Sequence, residues 1–192
     1  MRMVYHVMSA PQPLGLLFLA SGERGLRHAS FMDRRSLKRT IAVLDAASPG
    51  MRWEPSLFDL RPLADQLDQY FTGATHTLSW PIDPQGDELS RAVWRALLRV
   101  PYGDTCTVAQ LAREVGQPRN LRAVAQAVLT NPLAIVVPCH RVVAAGGKLG
   151  GFSARGGVAT KLRLLSIERA QGRGALPLFE LLAPDGADRS PE

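Results

Sequence analysis

The sequence predicts an α+β protein, a small antiparallel sheet with helices in its first half and a helical second half. Three observations carry this reading. Short apolar runs rich in strand formers crowd residues 3–31, apolar residues recur at helical spacing from Leu37 to Phe71, and residues 93–129 read as helix, glycine-containing turn and helix.

Residues 3–8 and 14–20 read as strands, and the second passes through the polar turn Ser21-Gly22-Glu23-Arg24 into a third at 25–31. Leu37, Ile41 and Leu44 follow the basic pair Arg34-Arg35, and Leu60, Leu63, Leu67 and Tyr70-Phe71 come later. Both sets have the spacing of amphipathic helices that cover the sheet. Trp80-Pro81-Ile82-Asp83-Pro84-Gln85-Gly86 breaks the pattern, because proline disfavours both helix and central strand. The chain is therefore divided into a scaffold half, 1–84, and a second half, 85–174.

In that second half Val93, Trp94, Leu97 and Leu98 form one helix face, which stops at Pro101-Tyr102-Gly103. Thr107 is placed to cap a helix running through Ala109, Leu111, Ala112 and Val115 to Gly116. After Gln117-Pro118-Arg119-Asn120, residues 121–129 make an Ala- and Val-rich helix. Two helices across a short turn form the helix-turn-helix pattern, although any consecutive pair in a bundle produces it. A last helix is predicted over 159–169, with Leu162, Leu165 and Ser166 or Ile167 facing inward. Residues 175–192 are expected to form a flexible tail.

With 46% apolar and 21% charged residues the chain can bury a core, which excludes disorder as its main state. No run reaches the roughly 18 to 20 uninterrupted apolar residues of a membrane span, and the first eight residues lack a signal-peptide pattern. The expectation is a cytoplasmic or nucleoid-associated protein with no membrane partner. Cys106 and Cys139 are too few for a disulfide framework and have no zinc-ligand spacing, nor do His6, His28 and His76. Cys106 is read as a core residue.

The net charge of +6 is unevenly spread. Residues 1–93 hold 10 Lys and Arg against 10 Asp and Glu, residues 94–175 hold 12 against 3, and residues 176–192 hold 1 against 4. The second half is therefore the candidate for a polyanionic partner such as nucleic acid, although an Arg-rich composition without a partner gives the same totals.

Ile135-Val136-Val137-Pro138-Cys139-His140-Arg141-Val142-Val143 places a thiol, an imidazole and a guanidinium between two apolar runs that read as buried strands. Burying such groups costs several kcal/mol unless they satisfy one another or face a cleft, so chemistry is expected here. In an extended chain Cys139 and His140 point opposite ways, so a tight turn or a bridging water is needed to pair them. On these residues alone, a buried structural cysteine beside a histidine remains open.

Pro138-Cys139-His140-Arg141-Val142, with Asn131-Pro132 before it and Gly150-Gly151-Phe152-Ser153, Lys161, Leu164-Leu165 and Glu168 after it, resembles the active-site signature of the O6-alkylguanine-DNA alkyltransferases. The likeness extends to most of the chain. Residues 94–112 are similar to that family's VWxALxxxPYGxTxxxxxLA segment, and Arg122-Ala123-Val124 to the arginine-bearing part of its recognition helix. Gln66-Leu67 to Phe71-Thr72-Gly73 is similar to its QLxxYFxG segment.

The resemblance implies an RNase H-like sheet-plus-helix domain, then a winged-helix-like DNA-binding domain that holds the acceptor cysteine. It implies single-turnover repair of double-stranded DNA containing O6-alkylguanine by a protein that is monomeric in solution. The recognition helix would enter the minor groove while the damaged base is flipped out. Cys139 would take the alkyl group, His140 would activate it through a water, Glu168 would orient the imidazole, and Asn131 would brace the turn before the active-site strand. Arg122 and Ala123 would meet DNA, while Val108, Val142, Phe152 and Ser153 would surround the alkylated base. Pro138 and Arg141 would be structural neighbours. No metal or organic cofactor is implied, since the thiolate is the nucleophile and keeps the group it takes.

Val108 and Phe152 stand where many members carry tyrosines, so neither supplies a side-chain proton donor, and the backbone N–H of Ser153 is left to stabilise the leaving oxygen. Ala154-Arg155 reads as a two-residue insertion, and Ala125 replaces a usual glycine. Three other readings fit parts of the pattern: a non-catalytic alkylguanine-binding protein, a helix-turn-helix regulator and a Cys-His hydrolase. The first has no use for Cys139, the second none for the Pro138–Arg141 motif, and the third lacks an oxyanion loop.

Overall fold

A computed structural model describes residues 2–47, 49–145 and 148–170. The predicted tail at 175–192 lies outside the described residues. Three strands, β1 (Arg2–Ser9), β2 (Leu16–Gly22) and β3 (Gly25–Met32), pair antiparallel in sequence order. The β2–β3 turn is tight, and Gly25 has φ +129, a conformation that side chains rarely adopt. A Cβ there would also meet the Pro81 carbonyl oxygen at 2.3 Å, because residues 81–83 run along β3. Leu26 donates its N–H to Pro81, and Asp83 donates its N–H to Leu26. The residues read as a linker are thus laced to the sheet, and Asp83 binds the guanidinium of Arg27 at 2.9 Å.

Helix α1 (Leu37–Ala47) leads to β4 (Arg52–Pro55), which the sequence did not predict. β4 pairs parallel with β1, so the antiparallel sheet gains a parallel edge and its order is β3-β2-β1-β4. Helix α2 (Leu57–Thr72) starts at Ser56, whose hydroxyl accepts from Asp59 N–H, and stops at Gly73 in the left-handed conformation. The two helices take opposite faces. Leu37, Ile41 and Leu44 of α1 pack on Phe18, Ala20 and Met32, whereas Leu60, Leu63, Leu67 and Tyr70 of α2 join Leu17, Leu19 and Phe31 in the main core.

The second half adds α3 (Glu88–Leu97), β5 (Cys106–Thr107), α4 (Val108–Glu114) and α5 (Leu121–Leu129), followed by β6 (Val142–Val143) and α6 (Gly157–Ile167). Thr107 and Gln110 form a reciprocal capping box on α4. The indole of Trp94 donates to the Ala127 carbonyl at 2.8 Å and ties α3 to α5. Leu133 pairs beside Ala29 of β3, with Ala29 N–H on Pro132 and Ala134 N–H on Ala29, so one apolar cluster runs through both halves.

Candidate active site

Residues 135–137 do not form the strand predicted for them. They make a buried turn in which Ile135 has φ 72, an unusual value for a β-branched residue and a local strain of about 1–3 kcal/mol. Asn131 holds this turn. Its Oδ1 accepts from Leu133 N–H at 3.0 Å, and its Nδ2 donates to the Val137 carbonyl at 2.8 Å and lies 3.1 Å from Cys139 Sγ. Pro138 then leads into a single 3-10 turn, Cys139–Arg141, which replaces the expected extended chain. The turn lets these three neighbours serve one site, since their side chains no longer alternate across a sheet.

Cys139 is buried and borders a pocket of about 210 Å³. Val108, Val142, Phe152 and Ser153 line the same pocket, together with Ala125, Val128, Leu129 and Lys161. Burial pushes the thiol above its ordinary range, while the Asn131 amide and the Lys161 ammonium pull it back. Lys161 is almost fully buried, and its Nζ donates to the carbonyls of Val142, Leu149 and Gly151. Burial brings it down to about 8. Leu162, predicted to face inward on α6, is only half-buried; the inward face is Thr160, Lys161, Leu164 and Leu165. Sequence reasoning gave Lys161 no role, although a lysine one turn before two core leucines was a signal of a buried ammonium.

His140 is fully buried, and its Nε2 lies 2.8 Å from Glu168 Oε1. Burial lowers its proton affinity although Glu168 opposes this, so the ring is neutral at neutral pH. A neutral ring facing a carboxylate carries its proton on Nε2, which leaves Nδ1 as the basic nitrogen. Among the described residues, Nδ1 has no protein hydrogen-bond partner. Glu168 is the hub of the cluster. Oε1 meets Tyr70 Oη at 2.7 Å, His140 Nε2 at 2.8 Å and Arg141 Nη2 at 2.8 Å, while Oε2 accepts from Arg141 Nε at 2.9 Å and Gly103 N–H at 3.3 Å. Burial alone would raise this carboxyl, but the hydrogen bonds from His140 and Arg141 outweigh it and hold the group at about 2. Arg141 also donates to the Val100 carbonyl at 2.6 Å.

Arg122 lies apart from this cluster, exposed on the first turn of α5, and Ala123 beside it is half-buried. Leu121 and Leu129 on the same helix are also exposed. Two of the basic residues counted in the second half, Arg141 and Lys161, are internal, as is one of its three acidic residues, Glu168. Cys106 is half-buried, paired with Val142, and pushed by burial to about 11.

Residues 88–170 match the 6-O-methylguanine DNA methyltransferase DNA-binding domain, and residues 3–84 match the ribonuclease-like domain of the same proteins. The methylated-DNA–protein-cysteine methyltransferase of Methanosarcina acetivorans is 38% identical over 81% of this chain and 93% of its own. The chain belongs to the 6-O-methylguanine DNA methyltransferase family. Among solved members of that family, the Mycobacterium tuberculosis O6-methylguanine methyltransferase superposes with a TM-score of 0.73 at 33% identity, covering 92% of this chain and 99% of its own. The Mycobacterium tuberculosis OGT in complex with DNA gives 0.71 at 32% identity over the same shares.

Proposed function

We propose that this chain repairs double-stranded DNA by moving the alkyl group of an O6-alkylguanine onto Cys139, once per molecule. The observation that carries this reading is Cys139 bordering an apolar pocket, next in the chain to a buried His140 whose Nε2 is held by Glu168. The pocket supplies space for a flipped base, and Phe152 supplies a ring to stack on it.

A thiol raised by burial does not ionise unaided at neutral pH. In the proposed reaction its proton passes through one water to His140 Nδ1, and Glu168 stabilises the imidazolium that forms. Cys139 Sγ attacks the alkyl carbon, the carbon–O6 bond breaks, and its electron pair goes to the guanine oxygen. The backbone N–H of Ser153 stabilises that oxygen, and the proton taken from the thiol returns through the water to the guanine ring. The products are S-alkylcysteine and guanine, so protons and electrons balance without a further reactant.

DNA enters this reading through the relative solved with DNA and the basic second half. Residues 1–84 act as scaffold, residues 85–174 bind DNA and accept the alkyl group, and one chain suffices because every group named lies within it. Exposed Arg122, with Ala123 behind it, faces the groove and fills the gap left by the flipped nucleotide. DNA affinity is expected to fall steeply with added salt and to depend weakly on sequence. Arg122→Ala is expected to slow repair of a paired duplex by on the order of tenfold, while transfer from the free alkylated base stays unchanged. Equal slowing of both substrates in a rapid-quench assay would count against this role.

The reading itself is tested by counting restored guanine. With a duplex containing O6-methylguanine in excess, guanine should reach one equivalent per protein and stop. Continued turnover, or no restored guanine, would overturn it.

A further inference from the structure

We propose that Tyr70, which the first half of the chain contributes from α2, is a positioning residue for transfer: its phenol fixes the Glu168 carboxylate that orders His140. This rests on the function proposed above and adds a residue to it. Tyr70 stands 98 positions from Glu168, yet its hydroxyl donates to Oε1 at 2.7 Å, the same oxygen that meets His140 and Arg141. It continues the inward stripe of Leu60, Leu63 and Leu67, where a phenylalanine ring would keep the packing without the hydroxyl. A phenol buried to 1% exposure needs a polar partner, and the partner chosen is the carboxylate behind the basic imidazole.

The surroundings agree with this role. Tyr102, in the loop after α3, meets Tyr70 edge-on at 6.0 Å, donates its hydroxyl to the Ile167 carbonyl, and lies under the Arg141 guanidinium at 5.9 Å. His76 stacks on the outer face of Tyr102 at 4.2 Å. Tyr70, His76, Tyr102 and Arg141 thus line one cleft of about 200 Å³, away from the pocket beside Cys139. Among the described residues, the charged and titratable groups around His140, Glu168 and the two tyrosines are Tyr70 from α2, Tyr102 from its loop, Cys139 and Arg141 from the 3-10 turn, Lys161 from α6, and Arg169, which acts on Tyr102. Tyr70 is the member from the first half that touches the carboxylate.

The phenol withdraws charge from Oε1 that would otherwise act on the imidazolium. Removing it leaves Glu168 a stronger partner for a protonated His140 and freer to turn. Since Nδ1 must be unprotonated to accept the thiol proton, the acid limb of the rate profile should then move to higher pH.

The experiment measures single-turnover methyl transfer to the full-length protein at saturating O6-methylguanine duplex, from about pH 5 to about pH 9. For Tyr70→Phe the acid limb is expected to rise by roughly half a pH unit, with the plateau lower by about threefold. Replacement of Tyr70 by a ring-fluorinated tyrosine, a stronger donor with the same packing, is expected to move the limb the opposite way. His76→Gln should leave the limb in place. A Tyr70→Phe profile that superimposes on the native one, or falls uniformly with its limb unmoved, reduces Tyr70 to packing and overturns the proposal. If Tyr70→Phe does not fold, the fluorinated protein decides alone, and an unmoved limb there overturns the proposal. A native protein that transfers nothing overturns the parent function instead, and this proposal with it.

Discussion

Glu168→Ala is expected to lower folding stability by about 3–5 kcal/mol and to abolish detectable transfer. The carboxylate is buried among Tyr70, His140, Arg141 and the Gly103 N–H, and its loss strands a guanidinium that is only 10% exposed. An uncompensated buried charge, rather than a lost contact, sets that magnitude. Chemical denaturation measures the first effect, and a loss below 1 kcal/mol would mean that Arg141 finds another partner or water.

The same carboxylate predicts a pH dependence. Its native value near 2 lies below the unfolded value near 4.5, so the unfolded chain binds the proton first as pH falls. The stabilisation is complete above about pH 4.5 and is lost as pH drops toward 2, about 3 kcal/mol in all. His140 acts in the same direction at milder acidity. Burial lowers its proton affinity below the ordinary 6.5, so the unfolded chain takes that proton first as well. Glu168→Gln removes the lower window and, because the carboxylate supports the protonated ring, widens the His140 window toward lower pH, which two acid titrations of stability separate.

Features set by local chemistry were legible in the sequence. Thr107 announces the start of α4, Gly116 its end, and the β2–β3 hairpin is marked by its own polar turn. Features set by distant partners were not. β4 is four residues, exposed at both ends and half-buried between, with no alternation, and it exists because β1 offers it a parallel edge. Ile135 to Val137 has the composition of a strand but turns, since Asn131 and the Ala29 backbone hold its ends. The residues of the Cys139–His140–Glu168 site were named from a resemblance, while the role of Tyr70 depends on a contact 98 residues away that no local pattern encodes.

Cys139→Ala is expected to give no transfer at any pH while keeping the fold and the affinity for DNA. The side chain is small, so truncation removes the nucleophile and leaves the pocket, the Asn131 turn and the His140–Glu168 pair in place. Cys106 does not substitute, because burial holds its thiol protonated to about 11. Residual transfer above about one part in a thousand of the native rate would point to another nucleophile.

Peptide-resolved mass of the native protein after incubation with excess O6-methylguanine duplex tests the central claim most directly. The predicted result is one added methyl group, about 14 Da, on the peptide that carries Cys139 and nowhere else. Restored guanine with an unmodified protein, or a methyl group on Cys106, would contradict it.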